Sequence, residues 1–308
     1  MQQQPRETHA KDSEEKQPQM AASNSQLTVR TLSGVQMPRM LYGTAWKKER
    51  TTELVVQAVL AGFRGIDTAG QPKHYREDLV GAALATLSSQ HGIKRESLFL
   101  QTKFTSVDGQ DPANIPYDPD SPIPEQVRQS FARSLANLHT EYVDSLVLHS
   151  PMRTHAKTMQ VWRVFEELHE EGRAKQLGIS NCYDLNQLGR LWKDAKVKPA
   201  VVQNRFYADT EYDKGIRAFC KQHGVYYQSF WTLTANPHLL KTPVVRSIAK
   251  KVNGTPEQVF FRFVMDMDII PLTGTTNERH MHQDLAVLTW PNLSSDDLHH
   301  LKELISEE

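Results

Sequence analysis

The chain has 308 residues, a length that one large α/β domain often fills alone, and its Lys+Arg and Asp+Glu counts are both 36. A formal charge of zero leaves no basic field for a phosphate backbone, so no nucleic-acid partner is expected. Two cysteines, Cys182 and Cys220, are too few for a disulfide scaffold, no Cys/His cluster suggests a metal, and no apolar run nears the roughly 20 residues of a membrane span.

From Met1 to Gln26 the chain is mostly Gln, Glu, Lys, Ser and Pro, which bury too little to offset ordering, so a disordered polar tail is expected at 1–26. That segment also lacks the apolar stretch of a secretory signal, which suits a soluble, cytoplasmic protein, with a monomer as the expected state. Residues 27–308 read as one domain. VRTLSGVQMPRM suggests a short hairpin turning at Gly34, with Pro38 halting regular pairing.

An alternation then sets in, each apolar, β-rich run being followed by a segment with apolar residues at helical spacing. LYGTA precedes TTELVVQAVLAGF, RGIDTA precedes REDLVGAALATL, LFLQTK precedes PEQVRQSFARSLANL, and VDSLVLH precedes MQVWRVFEELHEE. AKQLGIS precedes DLNQLGRLWKDA, AVVQNRF precedes KGIRAFCKQHG, VYYQSFW precedes PVVRSIAKKV and PEQVFFRFVMDM, and DIIPLTG precedes ERHMHQDLAVL. Eight such units suit a closed (β/α)8 TIM barrel, where a doubly wound sheet would more often use five or six. SSDDLHHLKELI adds a final amphipathic helix capped by Ser or Asp.

Barrel chemistry sits where strands end, because the loops there form the open mouth. The second, third and fourth strands end in Asp67, Lys103 and His149, whose side chains would converge in one mouth, with Asp and Lys needing each other as partners. Each has a bland reading as well: an Asx turn for Asp67, a lysine snorkelling to solvent for Lys103, a satisfied core histidine for His149. Chance placement of all three at adjacent strand ends is much rarer than of any one.

Taken together, GFRGIDTA, LFLQTK, VDSLVLHSP, LGISN and VVQN resemble the aldo-keto reductase family, from about Val29 to Leu304. The resemblance implies a (β/α)8 barrel that binds an extended nicotinamide dinucleotide, which agrees with the absence of GxGxxG. It also implies a catalytic Asp, Tyr, Lys and His, three of which map to Asp67, Lys103 and His149. The family's tyrosine spacing lands on Pro72, but the chain reads DTAGQPKHYRED, so Tyr75 is the expected acid, with Glu77 after it and Tyr42 and Tyr117 as weaker candidates. In this scheme Lys103 depresses the Tyr75 pKa, Asp67 holds Lys103 charged, and His149 donates a hydrogen bond to the substrate oxygen.

By the same resemblance Ser180, Asn181 and Gln203 would bond the nicotinamide carboxamide, Phe230 would stack on the ring, and Thr44 and Asp67 would touch its ribose. Thr273, Thr275, Arg279, His280 and Asp284 are expected around the adenosine phosphate, Arg279 or His280 being the only nearby cation and Asp284 falling where the family has Asn. NADPH is expected as cofactor, favoured over NADH by a reduced margin. Trp46, His149 and Tyr117 are expected against a small aldehyde or ketone, Tyr117 as a lid contact from the long loop FTSVDGQDPANIPYDPDSP. The short segment after the last helix suggests an open mouth and a broad carbonyl range. Two other classes fit a lysine at a strand end or a bound dinucleotide: a Schiff-base aldolase using Lys103, and a catalytically silent regulatory subunit.

Overall fold

The computed structural model describes residues 27–306, so the expected polar tail at 1–26 lies outside the described residues. Strands β1 (Thr28–Arg30) and β2 (Gln36–Pro38) pair antiparallel as the hairpin, and Gly34 turns it at φ +78°. Then β3 (Leu41–Gly43), β4 (Gly65–Asp67), β5 (Phe99–Phe104), β6 (Ser145–Leu148), β7 (Leu177–Ser180), β8 (Val201–Arg205), β9 (Tyr226–Phe230) and β10 (Ile269–Thr273) form a parallel sheet. β10 pairs with both β9 and β3, which closes the barrel.

The outer layer is α1 (Thr51–Ala61), α2 (Glu77–His91), α3 (Ile123–Leu138), α4 (His155–Glu170), α5 (Leu185–Asp194), α6 (Lys214–His223), α7 (Pro237–Leu240), α8 (Pro243–Lys251), α9 (Pro256–Asp266) and α10 (Glu278–Ala286). The final α11 (Ser295–Leu304) starts at Ser294, whose side chain accepts the Asp297 N–H. Thr255 and Gln258 make a reciprocal capping box at α9, a helix buried from Gln258 to Met265 among α8, α10, α11 and β10. The seventh crossover thus carries three helices, α7 being one more than the sequence pattern suggested.

The hairpin seals the barrel's lower end. Met37 projects inward, fully buried, into a cluster with Leu41, Phe99, Val147, Val201 and Ile270. Ligands can therefore enter only at the opposite rim, where the strands' C-terminal ends lie. No helix among the described residues is long and apolar enough to cross a membrane.

Candidate active site

Residues two apart on a strand share a face, and this brings polar side chains into the barrel. Gln101 and Lys103 both point inward from β5. Lys103 Nζ donates to Asp67 Oδ1 and Oδ2 at 2.8 and 2.7 Å and to the Thr68 carbonyl at 2.9 Å. Asp67 Oδ1 also accepts from Gln101 Nε2 at 2.8 Å and Gln203 Nε2 at 3.0 Å. Gln228 Oε1 accepts from the same two amides, and Gln228 Nε2 reaches Met37 Sδ at 3.2 Å, tying the site to the barrel floor. Burial pushes the Lys103 ammonium below its ordinary pKa, and the Asp67 carboxylate opposes that shift. A buried ion pair is tolerable because its lone pairs and protons are matched in this way.

Tyr75 sits on the loop between β4 and α2. Its ring centre lies 5.2 Å from Lys103 Nζ and 6.0 Å from the His149 ring, edge to face. The Tyr75 hydroxyl has no partner among the described residues, and the side chain lines the central cavity. Loss of hydration, and next the Asp67 charge, push its phenol well above the ordinary value. Here the structure corrects the expectation that Lys103 depresses it. All three Lys103 N–H groups are engaged by Asp67 and Thr68, so none donates to Tyr75, and the Asp67 charge acts against the phenolate.

His149 follows β6, its Nδ1 2.6 Å from Thr105 Oγ1. Loss of hydration, with help from Lys103 and His74, lowers its pKa to about 3, so the imidazole is neutral across the physiological range. The two other candidate tyrosines are turned away from the cavity: Tyr42 OH donates to the Thr275 carbonyl at 2.9 Å and Tyr117 OH to the Thr105 carbonyl at 2.8 Å. Tyr117 is therefore no lid contact; it braces the residue that holds His149. Glu77 is buried at the start of α2, hydrogen-bonded by Thr102 and Ser134, and its carboxyl is pushed up by burial.

The cavity holds about 1530 Å³ and runs from Trp46, Tyr75 and His149 past Gln203 and Phe230 to Arg279 and Asp284. Trp46 lines its edge, packed against His74 with the rings tilted and their centroids 3.9 Å apart. Ser180 donates to the Gln203 carbonyl at 2.6 Å, and Asn181 Nδ2 to the His149 carbonyl at 2.8 Å; both line the wall. Gln203 Oε1 has no partner among the described residues, which leaves one acceptor for an incoming amide. Thr44 does not fit its expected role. It is fully buried outside the cavity lining, and its hydroxyl donates to the Asp67 carbonyl at 2.9 Å.

At the far end Thr273 Oγ1 donates to Asp284 Oδ2 at 2.8 Å, and Thr275, Arg279, His280 and Glu257 line the same region. Lys47 is a further correction. Its Nζ donates to the Gly274 carbonyl at 2.9 Å, so a further cation stands behind this loop; burial lowers its pKa to about 8. Sequence reasoning also passed over Gln101 and Gln228, hidden inside runs taken as apolar, and Thr105, His74 and Arg205 on the wall.

Residues 39–242 match the family model described as Aldo/keto reductase family. The chain belongs to the aldo/keto reductase family. It is 28% identical over 284 residues to a glyoxal reductase of Bacillus subtilis, covering 91% of this chain and 94% of that protein. It is 29% identical over 275 residues to the uncharacterized oxidoreductase YtbE of the same organism, covering 88% and 90%. Its fold matches the crystal structure of an aldo/keto reductase from Brucella melitensis with a TM-score of 0.76 at 28% identity, covering 90% of this chain and 98% of that one. As an aldo/keto reductase the protein is an oxidoreductase that reduces aldehydes or ketones with NAD(P)H. The aldolase alternative fails on geometry as well, since Lys103 is 1% exposed, lies outside the cavity lining, and is held as a triply bonded ammonium.

The donor set suits a dinucleotide. The cavity exceeds the roughly 300–1,000 Å³ of a drug-sized ligand site, an unpaired amide oxygen faces it near Asp67, and side chains with phosphate-binding groups line its other end.

Proposed function

We propose that Asp67, Tyr75, Lys103 and His149 carry the carbonyl reduction, with Tyr75 as general acid. The observation that supports this most is the setting of Tyr75: of the three candidate tyrosines it alone reaches the cavity with its hydroxyl unengaged, between His149 and the Lys103–Asp67 pair. Ser180, Asn181 and Gln203 would hold the nicotinamide carboxamide, with Phe230 against the ring. Thr273, Thr275, Arg279, His280 and Asp284 would hold the adenosine phosphate. The bound dinucleotide supplies a hydride at the nicotinamide C4.

The protein's own part is to place the carbonyl and manage its proton. Tyr75 keeps its phenolic proton at rest because the site disfavours the phenolate, so it enters the reaction as a loaded donor. As negative charge grows on the substrate oxygen, that proton moves from Tyr75 Oη to the oxygen, and the new phenolate faces the Lys103 ammonium. A neutral His149 can donate one further hydrogen bond from a ring nitrogen, and Thr105 fixes the ring's orientation. Asp67, itself held by Gln101 and Gln203, keeps Lys103 charged despite burial.

NADPH would be preferred over NADH by a modest margin, because Arg279 and His280 share their end of the cleft with Glu257 and Asp284. Trp46, packed on His74, gives the mouth an aromatic edge suited to small aldehydes and ketones in some variety. Residues 27–308 would act as one domain. Free, buried Cys182 and Cys220 suit the reducing cytoplasm, and a monomer is the expected state. A panel of carbonyl compounds followed at the reduced-nicotinamide absorbance tests the activity: dinucleotide-dependent turnover of several small aldehydes is expected, and no turnover of any would sink it.

A further inference from the structure

Arg205 is the last residue of β8, two beyond Gln203 and so on the same face of the strand, roughly 6.6 Å further toward the rim at 3.3 Å per residue. Its guanidinium carbon lies 4.3 Å from the centre of the Trp231 ring and 5.0 Å from that of Tyr207, so aromatic rings fix the cation in place. Arg205 and Trp231 both line the cavity. No side-chain hydrogen bond or ion pair engages Arg205 among the described residues, and its Nε is buried without any acceptor. Of the arginines that line this cavity, Arg153 is paired with Asp108 at 2.9 Å, whereas Arg205 has no acidic partner among the described residues. A guanidinium fork held rigid by aromatics, facing a ligand cavity, with no counter-charge, is built to receive an anion with several oxygens.

The direction of the cleft identifies the anion. Gln203 stands at the nicotinamide end and β10 carries the adenosine-phosphate end, with β9 between β8 and β10 in the closed barrel. A dinucleotide laid from one end to the other passes the β8–β9 rim, where Arg205 is paired in register with Phe230. We propose that Arg205, clamped against Trp231, binds the pyrophosphate of the dinucleotide. The assignment rests on the reading of the cavity as a dinucleotide site, and places the cofactor's central charge on a residue outside the reduction chemistry.

Calorimetric titration of the full-length protein with NADPH, ADP-ribose and 2′-AMP tests it, since ADP-ribose carries the pyrophosphate and 2′-AMP does not. Arg205→Met, which keeps the stem between the rings, should weaken NADPH and ADP-ribose by roughly tenfold or more, the range for a lost hydrogen bond to a charged group. Binding of 2′-AMP should stay within about a factor of two of wild type. Arg205→Lys should fall between wild type and Arg205→Met, because it restores charge without the fork. Unchanged ADP-ribose binding in Arg205→Met would overturn the proposal, as would equal weakening of all three ligands. Intact NADPH binding together with a raised KM confined to carboxylate-bearing carbonyls would overturn it in favour of a substrate anion. Wild-type protein that binds neither NADPH nor ADP-ribose would instead refute the dinucleotide site itself.

Discussion

Lys103 Nζ bonds both carboxylate oxygens of Asp67, at 2.7 and 2.8 Å, with the side chains 1% and 3% exposed. Removing one partner leaves the other charge buried and unmatched, which costs about 3–5 kcal/mol. Lys103→Met should therefore lose both carbonyl reduction and that much unfolding free energy. The double variant Lys103→Met/Asp67→Asn should regain most of the stability, because Asn still accepts from Gln101 and Gln203, yet stay inactive. Denaturant midpoints and turnover rates check this. An active Lys103→Met enzyme would remove the pair from the mechanism.

Tyr75→Phe deletes one hydroxyl that faces the cavity and no hydrogen bond among the described residues. Stability should be near wild type and dinucleotide affinity unchanged, while carbonyl reduction falls by roughly 10²- to 10⁴-fold, the span expected for a lost general acid. Tyr42→Phe loses its bond to the Thr275 carbonyl, and about 1 kcal/mol of stability with it, but should keep its rate. Rates and melting temperatures of the two variants side by side are decisive. If Tyr42→Phe is the inactive one, the acid has been misassigned.

The barrel was legible because eight apolar runs alternate with helical periodicity, and because Asp67, Lys103 and His149 each fall within one residue of a strand end. Tyr75 is the acid expected from the HYRED string next to them, though nothing in that string announces that its phenol is pushed up. That follows from its burial and the nearby Asp67 charge, a matter of three-dimensional geometry. Thr44 and Tyr117 were misplaced for one common reason. Each satisfies a buried carbonyl, of Asp67 and Thr105 respectively, and such a demand leaves no trace in residue type or spacing. Gln101 and Gln228 were passed over because strands buried on both faces were taken to be apolar throughout. The period of two that sets Gln101 beside Lys103 also sets Arg205 above Gln203.

His149 has its pKa lowered to about 3, so no ionisation of this residue should mark the pH profile near neutrality. At saturating dinucleotide, kcat for reduction should show no inflection attributable to His149 between pH 5 and 8. Thr105→Val removes the hydroxyl 2.6 Å from Nδ1 and frees the ring to turn, so kcat should fall by roughly tenfold, by analogy with the loss of ligand-orienting partners at other sites, with little change in stability. A step near pH 6.5 that vanishes in His149→Gln would show that the imidazole titrates normally and carries charge in the site.

Asp284, in contrast, gives the cofactor cleft a pH response near neutrality. Burial, with the Glu257 charge adding to it, raises this carboxyl to about 7, against a hydrogen bond from Thr273 that lowers it. An unfolded aspartate titrates near 3.9, so the folded state favours the neutral acid. Its contribution is fully present below pH 4 and is lost as pH rises through 7, where the fold must carry a buried anion. Asp284→Asn should accordingly be more stable than wild type at pH 8, by up to roughly 4 kcal/mol, with the difference fading toward pH 4. The same anion lines the cleft with Arg279 and opposes a bound phosphate. The Kd for NADPH should rise between pH 6 and 8 in the wild type and stay nearly flat in Asp284→Asn. Melting curves and titrations at pH 4, 6 and 8 check both effects, and a wild-type Kd that holds constant across that range would mean Asp284 does not face the phosphate.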